Sequence, residues 1–167
     1  MSRTTFVNID GRGFWAVADA FGVWLAYLVE QIDSGDRVPD AWLAATVEDW
    51  RVAAAITDLG VGVTFETERQ RSWISEYARA ARGAAVAAGD VTEERLRQWI
   101  ILPDTAVSQG FSNTKGGIGL NRILEVADGF IALVDGRFQA DPPPGWWFLG
   151  TGGGMRVIER RPDSAGP

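Results

Sequence analysis

Residues 4–35, TTFVNIDGRGFWAVADAFGVWLAYLVEQIDSG, contain the change of pattern that decides the fold. The segment 4–9 predicts a short strand, which the glycines of Gly11-Arg12-Gly13 interrupt. Seven apolar side chains then recur at steps of three and four residues, which is typical of an amphipathic helix with one buried face. They are Phe14, Val17, Phe21, Trp24, Leu25, Leu28 and Ile32. We expect this helix to end at Gly35, because glycine tolerates the left-handed conformation that often follows a helix.

Three further helices are predicted downstream of Gly35. The second opens near Asp40, a residue able to cap free backbone amides, and we expect it to pack against the first helix as a hairpin. The third runs from about 67 to 88, with apolar and small side chains in helical register. The fourth is shorter, begins after the N-cap residue Thr92 and ends before Pro103.

The last third of the chain predicts strands. Two Asp-Gly pairs, Asp128-Gly129 and Asp135-Gly136, flank the apolar run 130–134 and are a strong hairpin signal, so we expect a small antiparallel meander there. The segments 146–149 and 155–160 are also strand-like. Because a glycine-rich stretch of five residues separates them, they predict another hairpin.

Together these elements predict an α+β fold in one domain that covers residues 1–161. An N-terminal part of about four helices packs on a small C-terminal antiparallel sheet in this prediction. The length of 167 residues matches the usual size of one domain and allows one hydrophobic core. Residues 162–167 are expected to form a disordered tail.

The side-chain inventory limits the chemistry of the protein. The chain contains no cysteine and no histidine. Disulfides, thiolate nucleophiles, Ser-His-Asp triads and cysteine-based metal sites are therefore excluded. Carboxylates remain, but their spacing does not indicate a paired general acid and base. We assign no catalytic residue, no metal site and no cofactor, and the sequence favours a binding protein over an enzyme.

Charge and hydropathy narrow the choice of partner and compartment. The formal net charge is −6, and residues 1–58 hold nine acidic side chains against four arginines. Because an acidic protein repels phosphates and attracts basic surfaces, we expect a basic protein partner and no nucleic acid. No secretory signal is visible, and Asp19 and Glu30 interrupt the most apolar stretch. We therefore expect a cytoplasmic protein without a membrane span, while the oligomeric state stays open.

Eight tryptophans are several times the usual share, and their positions differ in meaning. Trp24, Trp50 and Trp73 lie on apolar helical stripes and are expected in the core. Trp146 and Trp147 are consecutive in a predicted strand, so their side chains point to opposite faces. A sheet covered on one face leaves one of the two exposed, where it is able to anchor a partner. If helices cover both faces, neither indole is free.

The first functional hypothesis is a small acidic protein-binding module, for example an immunity or antitoxin-like inhibitor of a basic partner. Fifteen arginines against one lysine indicate a GC-rich bacterial genome as its source. Acidic side chains near helix ends steer the partner, and Trp146 or Trp147 anchors the contact. The acidic residues are Asp33, Asp36, Asp40, Glu48 and Asp49.

The second hypothesis is a small-ligand-binding protein, or an enzyme that uses carboxylates, with a pocket between the helices and the sheet. The polar, glycine-rich stretch 108–119, SQGFSNTKGGIG, is then a lid over the pocket. Asn113, Lys115 and Arg156 are the candidate ligand contacts. Salt discriminates the two hypotheses, because steered association weakens at high ionic strength and an apolar pocket is insensitive to it.

Overall fold

The computed structural model describes residues 3–56, 59–102 and 116–159, which contain five helices and one five-stranded sheet. The strands are β1 (Thr4–Ile9), β2 (Arg12–Val17), β3 (Val61–Val63), β4 (Trp146–Leu149) and β5 (Arg156–Ile158). The helices are α1 (Ala18–Asp33), α2 (Ala41–Ala55), α3 (Glu68–Ala88), α4 (Glu93–Gln98) and α5 (Leu120–Val134). None of the helices in these ranges is both long and apolar enough to cross a membrane.

The sheet is mixed, with the strand order β3-β1-β2-β4-β5. The pairs β1–β2 and β4–β5 are antiparallel, whereas β1–β3 and β2–β4 are parallel. The prediction of helices and one sheet is confirmed, but the prediction of a C-terminal antiparallel sheet is wrong. Strands from the start of the chain form the centre of the sheet, and the predicted hairpin β4–β5 adds to them at one side.

The β1–β2 hairpin explains why the first helix begins later than its apolar stripe predicts. Asp10 and Gly11 have φ angles of 52° and 79°, as a two-residue turn with two left-handed residues requires. Ile9 pairs with Arg12 across this turn, so the chain continues as β2 through Val17. The stripe from Phe14 to Val17 fits a strand as well as a helix, and pairing with β1 decides between them.

Side-chain caps fix the starts of three predicted helices. Asp40 accepts a hydrogen bond from the Leu43 N–H at 2.8 Å, which caps α2. Thr67 and Gln70 form a reciprocal capping box at the start of α3. Thr92 accepts a hydrogen bond from a backbone N–H of α4 in the same way. The predicted second, third and fourth helices are therefore confirmed, together with the capping residues Asp40 and Thr92.

The predicted meander at 128–136 is wrong, because α5 occupies this region. Gly129 lies inside the helix, where a Cβ atom would contact Leu149 Cδ1 and lie 3.2 Å from Phe14 Cε1. Glycine therefore allows α5 to approach the sheet closely. Asp135-Gly136 ends the helix instead of turning a hairpin, since the N–H groups of Gly136 and Arg137 donate back to α5 carbonyls.

The hydrophobic core lies between one face of the sheet and the helices. The helices α1, α2 and α5 contact the sheet, and α2 and α3 pack against α1. Trp24 and Trp50 are fully buried, and each packs edge-on against the ring of Phe130. The prediction that these two tryptophans belong to the core is confirmed, whereas Trp73 is only partly buried.

Candidate functional site

The face of the sheet opposite α1 and α5 is rich in aromatic side chains. Val7, Ile9 and Phe14 point to the core and are buried, so the residues that alternate with them point away from the helices. We call this surface the aromatic face and define it by Phe6, Trp15, Trp146 and Phe148. In the described parts of the chain, α1, α2 and α5 are the helices that contact the sheet, and α5 lies against the core-facing Phe14 and Leu149. Trp146 is exposed, and the other three rings are partly buried. The aromatic face is therefore partly open to solvent.

The rings of the aromatic face support one another across three strands. Phe6 pairs with Trp15 and Trp15 pairs with Phe148, which places the three side chains in one row. The ring centroids of Phe6 and Trp15 are 5.2 Å apart, and Trp146 packs edge-on against Phe6 at 5.6 Å. Gly13 lies beneath this cluster, because a Cβ atom there would be 2.9 Å from Phe6 Cζ. The rings thus form a continuous apolar surface.

The structure separates the two tryptophans that the sequence offered as partner anchors. Trp146 lies on the aromatic face and is 38% exposed. Trp147 points to the opposite side of β4, is partly buried and donates its indole N–H to the carbonyl oxygen of Ala140 at 3.1 Å. Trp146 is therefore the better placed of the two for a contact with another molecule.

The hairpin that carries Trp146 is fixed to α5 by Glu125. The Glu125 carboxylate accepts hydrogen bonds from the N–H groups of Gly150 and Thr151, both at 3.0 Å, and from that of Gly154. Arg122 of the same helix donates its Nε–H to the Gly150 carbonyl oxygen at 2.9 Å. The loop between β4 and β5 is thus wrapped around a carboxylate, which sets the position of both strands.

The five acidic residues predicted to steer a partner fall into two groups. Asp33 forms an ion pair with Arg51, and Asp40 caps α2, so both have structural roles. Asp36, Glu48 and Asp49 are exposed, although Glu48 lies 3.8 Å from the Arg51 guanidinium. All five residues are exposed, and those outside the Asp33–Arg51 ion pair and the Asp40 cap offer their carboxylates to another protein.

Asp49 also borders a groove between α2 and β3. The groove has a volume of about 270 Å³, and Val52, Ala53 and Leu59 contribute to its apolar walls. One end of it lies beside Phe6, because a Cβ atom on Gly60 in its lining would be 3.1 Å from the carbonyl oxygen of Phe6 and 4.0 Å from the Phe6 Cβ atom. We call it the Asp49 groove. It combines an apolar interior with a carboxylate at its border.

A second concave region lies where the β1–β2 turn meets the start of α3 and the end of α5. This charged cleft has a volume of about 420 Å³, and its lining includes Asp10, Arg12, Glu68, Arg71 and Asp135. Arg71 donates to Asp10 Oδ2 at 2.5 Å and to a main-chain carbonyl oxygen of α5 at 2.8 Å. Arg12 donates to two carbonyl oxygens of the chain after α5. The arginines therefore tie the hairpin turn to the helices.

Among the ion-paired carboxylates that line the cleft, Asp135 is the least exposed, with 13% of its side chain accessible. It accepts hydrogen bonds from Ser75 at 2.7 Å, from Arg79 at 2.6 Å and from Arg137. Burial raises the pKa of Asp135, but the hydrogen bonds from Arg137 and Ser75 and the charge of Arg79 lower it more, so the pKa lies below its ordinary value. The group is an ionised structural carboxylate and a poor proton donor near neutral pH.

The residues proposed as ligand contacts are only partly placed. Asn113 and Lys115 lie outside the described residues, as does most of the predicted lid at 108–119. Arg156 is exposed on β5 and pairs with Phe148 of the aromatic face. Within the described ranges, acidic residues do not form a group of three suited to hold a metal ion.

Sequence reasoning missed Phe6 and Trp15 because their importance depends on long-range pairing. Each alternates with buried neighbours, so a period of two was available as a signal for β1 and β2. Their approach to Trp146, however, results from the parallel pairing of β2 with β4. The sequence separation of more than a hundred residues gives no local indication of that contact.

Comparisons with protein families, with curated proteins and with solved structures find no match. A functional proposal therefore depends on the chemistry of the described surfaces. Among these surfaces the aromatic face stands out, because the exposed Trp146 packs there with three partly exposed aromatic side chains, close to the groove bordered by Asp49.

Proposed function

We propose that the protein is a small acidic protein-binding module that holds a basic partner against the aromatic face. The observation that carries the proposal is the exposure of Trp146 within a cluster of mutually packed rings. Tryptophan is strongly enriched among residues that dominate binding energy, because it offers a large rigid contact area. A sheet scaffold holds such an anchor in one position, which lowers the entropy lost on binding.

Electrostatics supports a basic partner. The net charge of −6 produces a field that attracts cations over several ångströms, and Asp36, Glu48 and Asp49 present exposed carboxylates. Such rim charges mainly raise the association rate, whereas buried aromatic contacts slow dissociation. In this proposal the acidic residues guide the partner and Trp146 retains it.

A cytoplasmic inhibitor of the immunity or antitoxin type is the biological form that we propose for this module. Inhibitors of this kind act by stoichiometric contact and require no catalytic group. The absence of histidine and cysteine from the sequence is compatible with that mode of action. The cationic surface of a toxin that binds nucleic acid would complement the acidic exposed residues.

Site-specific photocrosslinking in the native host tests the proposal. Benzoylphenylalanine replaces Trp146, which keeps an aromatic ring on the face, and in a control protein it replaces Val86, a residue of α3 that is 48% exposed. We expect a discrete protein adduct from position 146, weakened by Asp49→Lys, and none from position 86. Equal adducts at both positions, or none at either, would contradict the proposal.

The charged cleft supports a second candidate function, the binding of a small zwitterionic ligand. Asp10, Glu68 and Asp135 converge there with Arg12 and Arg71, so both signs of charge are present within one concave surface. A bound ligand raises the apparent stability by mass action. An amino-acid library that raises the Tm by several degrees in the unmodified protein, but not in Arg12→Gln, would favour this function over the first.

A further inference from the structure

We infer that the aromatic face receives an amphipathic helix of the partner, which places a lysine or arginine in the Asp49 groove. This inference deepens the proposed function and rests on it. It adds the secondary structure of the bound element and the chemistry of one contact residue. Both additions follow from the topology of the sheet, its dimensions and the lining of the groove.

The topology of the sheet favours a helix as the bound element. Sheets made entirely of parallel strands are almost always covered by helices on both faces, because the crossover connections place helices there. Two of the four strand pairs here are parallel, namely β1–β3 and β2–β4. In the described ranges, however, α1 and α5 cover one face only. A helix of the partner on the aromatic face completes the usual three-layer arrangement.

The dimensions of the sheet suit one helix. Five strands at a spacing of about 4.8 Å span roughly 19 Å between the outermost strands. A helix of about 13 residues crosses that distance at a rise of 1.5 Å per residue. The apolar stripe of such a helix then lies over the rings of Phe6, Trp15 and Trp146 in turn.

The charge of the molecule argues against a second copy of this chain. Sheet-to-sheet packing of two copies brings together two chains that each carry a net charge of −6, and like charges repel. A basic partner is attracted by the same charge.

The Asp49 groove suits a long cationic side chain. Val52, Ala53 and Leu59 offer apolar surface for an aliphatic stem, and Leu59 is 44% exposed. Asp49 at the border of the groove offers a carboxylate to the charged end. Lysine and arginine combine such a stem with such an end, so they fill both requirements. The groove begins beside Phe6, which places the cation next to the apolar stripe of the helix.

Synthetic peptides test the inference without knowledge of the natural partner. The probe is a fluorescein-labelled peptide of 15 residues, made of leucine and lysine with leucine at helical spacing. One control peptide has the same composition with leucine at every second position, which favours a strand, and another is a leucine–glutamate helix. We expect the leucine–lysine helix to bind at least about tenfold more tightly than either control, since both shape and charge are matched.

Matched protein variants locate the bound peptide. Trp146→Ser and Asp49→Lys should each weaken the leucine–lysine helix by about tenfold or more, as expected for a contact anchor and a paired charge. Ile100→Ser and Glu94→Lys remove a large apolar side chain and reverse a charge, respectively, at exposed positions outside the site, and each should change the affinity less than threefold. Far-UV circular dichroism of each variant verifies that the fold is retained.

Three results would overturn the inference. Tighter, Trp146-dependent binding of the strand peptide would show that the face binds proteins through an extended segment, so the proposed function would survive. A dimer that Trp146→Ser dissociates would show that a second copy occupies the face. Binding that appears only after residues 103–115 are replaced with a glycine–serine linker would show that the chain covers its own face. Failure of the proposed function itself is read separately, from the photocrosslinking at position 146.

Discussion

Glu125 holds the β4–β5 loop because its carboxylate accepts hydrogen bonds from three backbone N–H groups of the loop. We expect Glu125→Ala to lower the free energy of unfolding by about 2–3 kcal/mol, because hydrogen bonds to a charged group are the strong ones. Glu125→Gln keeps one acceptor oxygen and should lose about half as much. Urea unfolding measures the effect, with Glu48→Ala as an exposed control. A loss in Glu125→Ala no larger than in the control would show that water replaces the carboxylate without cost.

Asp135 predicts a pH-dependent contribution to stability. Its pKa in the folded protein lies below the ordinary value of 3.8, because the hydrogen bonds and charges around it outweigh the effect of burial. The contribution is therefore complete above the pKa of the unfolded chain and is lost as the pH falls through the lower folded pKa. We expect Asp135→Asn to be about 1–2 kcal/mol less stable at pH 7.

Below pH 3.8 this difference should shrink, since the unmodified protein loses the contribution that the variant never had. Urea unfolding between pH 2 and pH 7 measures the trend. Asp36→Asn is the control, because Asp36 is exposed and should give no difference at either end of the range. A constant gap between Asp135→Asn and the unmodified protein would show that the ionised form contributes nothing.

Replacing a helical glycine with alanine should have opposite effects on stability in α5 and in α3. Gly129 of α5 faces the sheet, and its added Cβ would overlap Leu149, so Gly129→Ala should cost about 1–3 kcal/mol through overpacking. Gly83 of α3 has no atom within 4 Å of an added Cβ, so Gly83→Ala should gain about 0.5–1 kcal/mol of helix propensity. Thermal and urea unfolding measure both variants. Equal effects would mean that α5 does not depend on close approach to the sheet.

The three Asp-Gly pairs show what local sequence is able to specify. Asp10-Gly11 forms the hairpin turn, Asp128-Gly129 lies inside α5, and Asp135-Gly136 ends that helix. Glycine supports a positive φ in a turn and at a helix end alike, so the dipeptide alone does not choose between them. For the two pairs at 128–129 and 135–136, the spacing of apolar residues was the available signal for a helix. This spacing follows a helical period through residues 120–134. The starts of α2 and α4 were predictable because Asp40 and Thr92 are local capping residues, whereas α1 begins without a side-chain cap.

The aromatic face could be predicted only in part for a related reason. Alternation within one strand indicates which side chains share a face, and it placed Trp146 and Trp147 on opposite sides. The neighbour of a strand depends on pairing between distant segments, as in the contact between β2 and β4. Trp15 therefore looked like part of a helix, although it pairs with Phe148 in the sheet. The groove at Asp49 likewise requires α2 and β3 to be adjacent.

The charge of the whole molecule governs how fast a cationic partner arrives. At about 20 mM salt the screening length is roughly 20 Å, and at about 500 mM it is roughly 4 Å. The net charge therefore acts over the width of the sheet only at the lower salt concentration. For the leucine–lysine helix we expect the association rate to fall about tenfold across this range. The dissociation rate, set by contacts with the aromatic face, should change less than about twofold. Stopped-flow fluorescence measures both rates.

A double charge reversal separates steering from contact. Asp36→Lys with Glu48→Lys adds two units of charge at each position and changes the net charge from −6 to −2. It should slow association at low salt and flatten the salt dependence without changing dissociation, because neither residue borders the Asp49 groove. Trp146→Ser should do the reverse and accelerate dissociation alone. If the double reversal accelerates dissociation as much as Trp146→Ser, Asp36 or Glu48 contacts the partner, and the bound helix extends beyond the edge of the sheet.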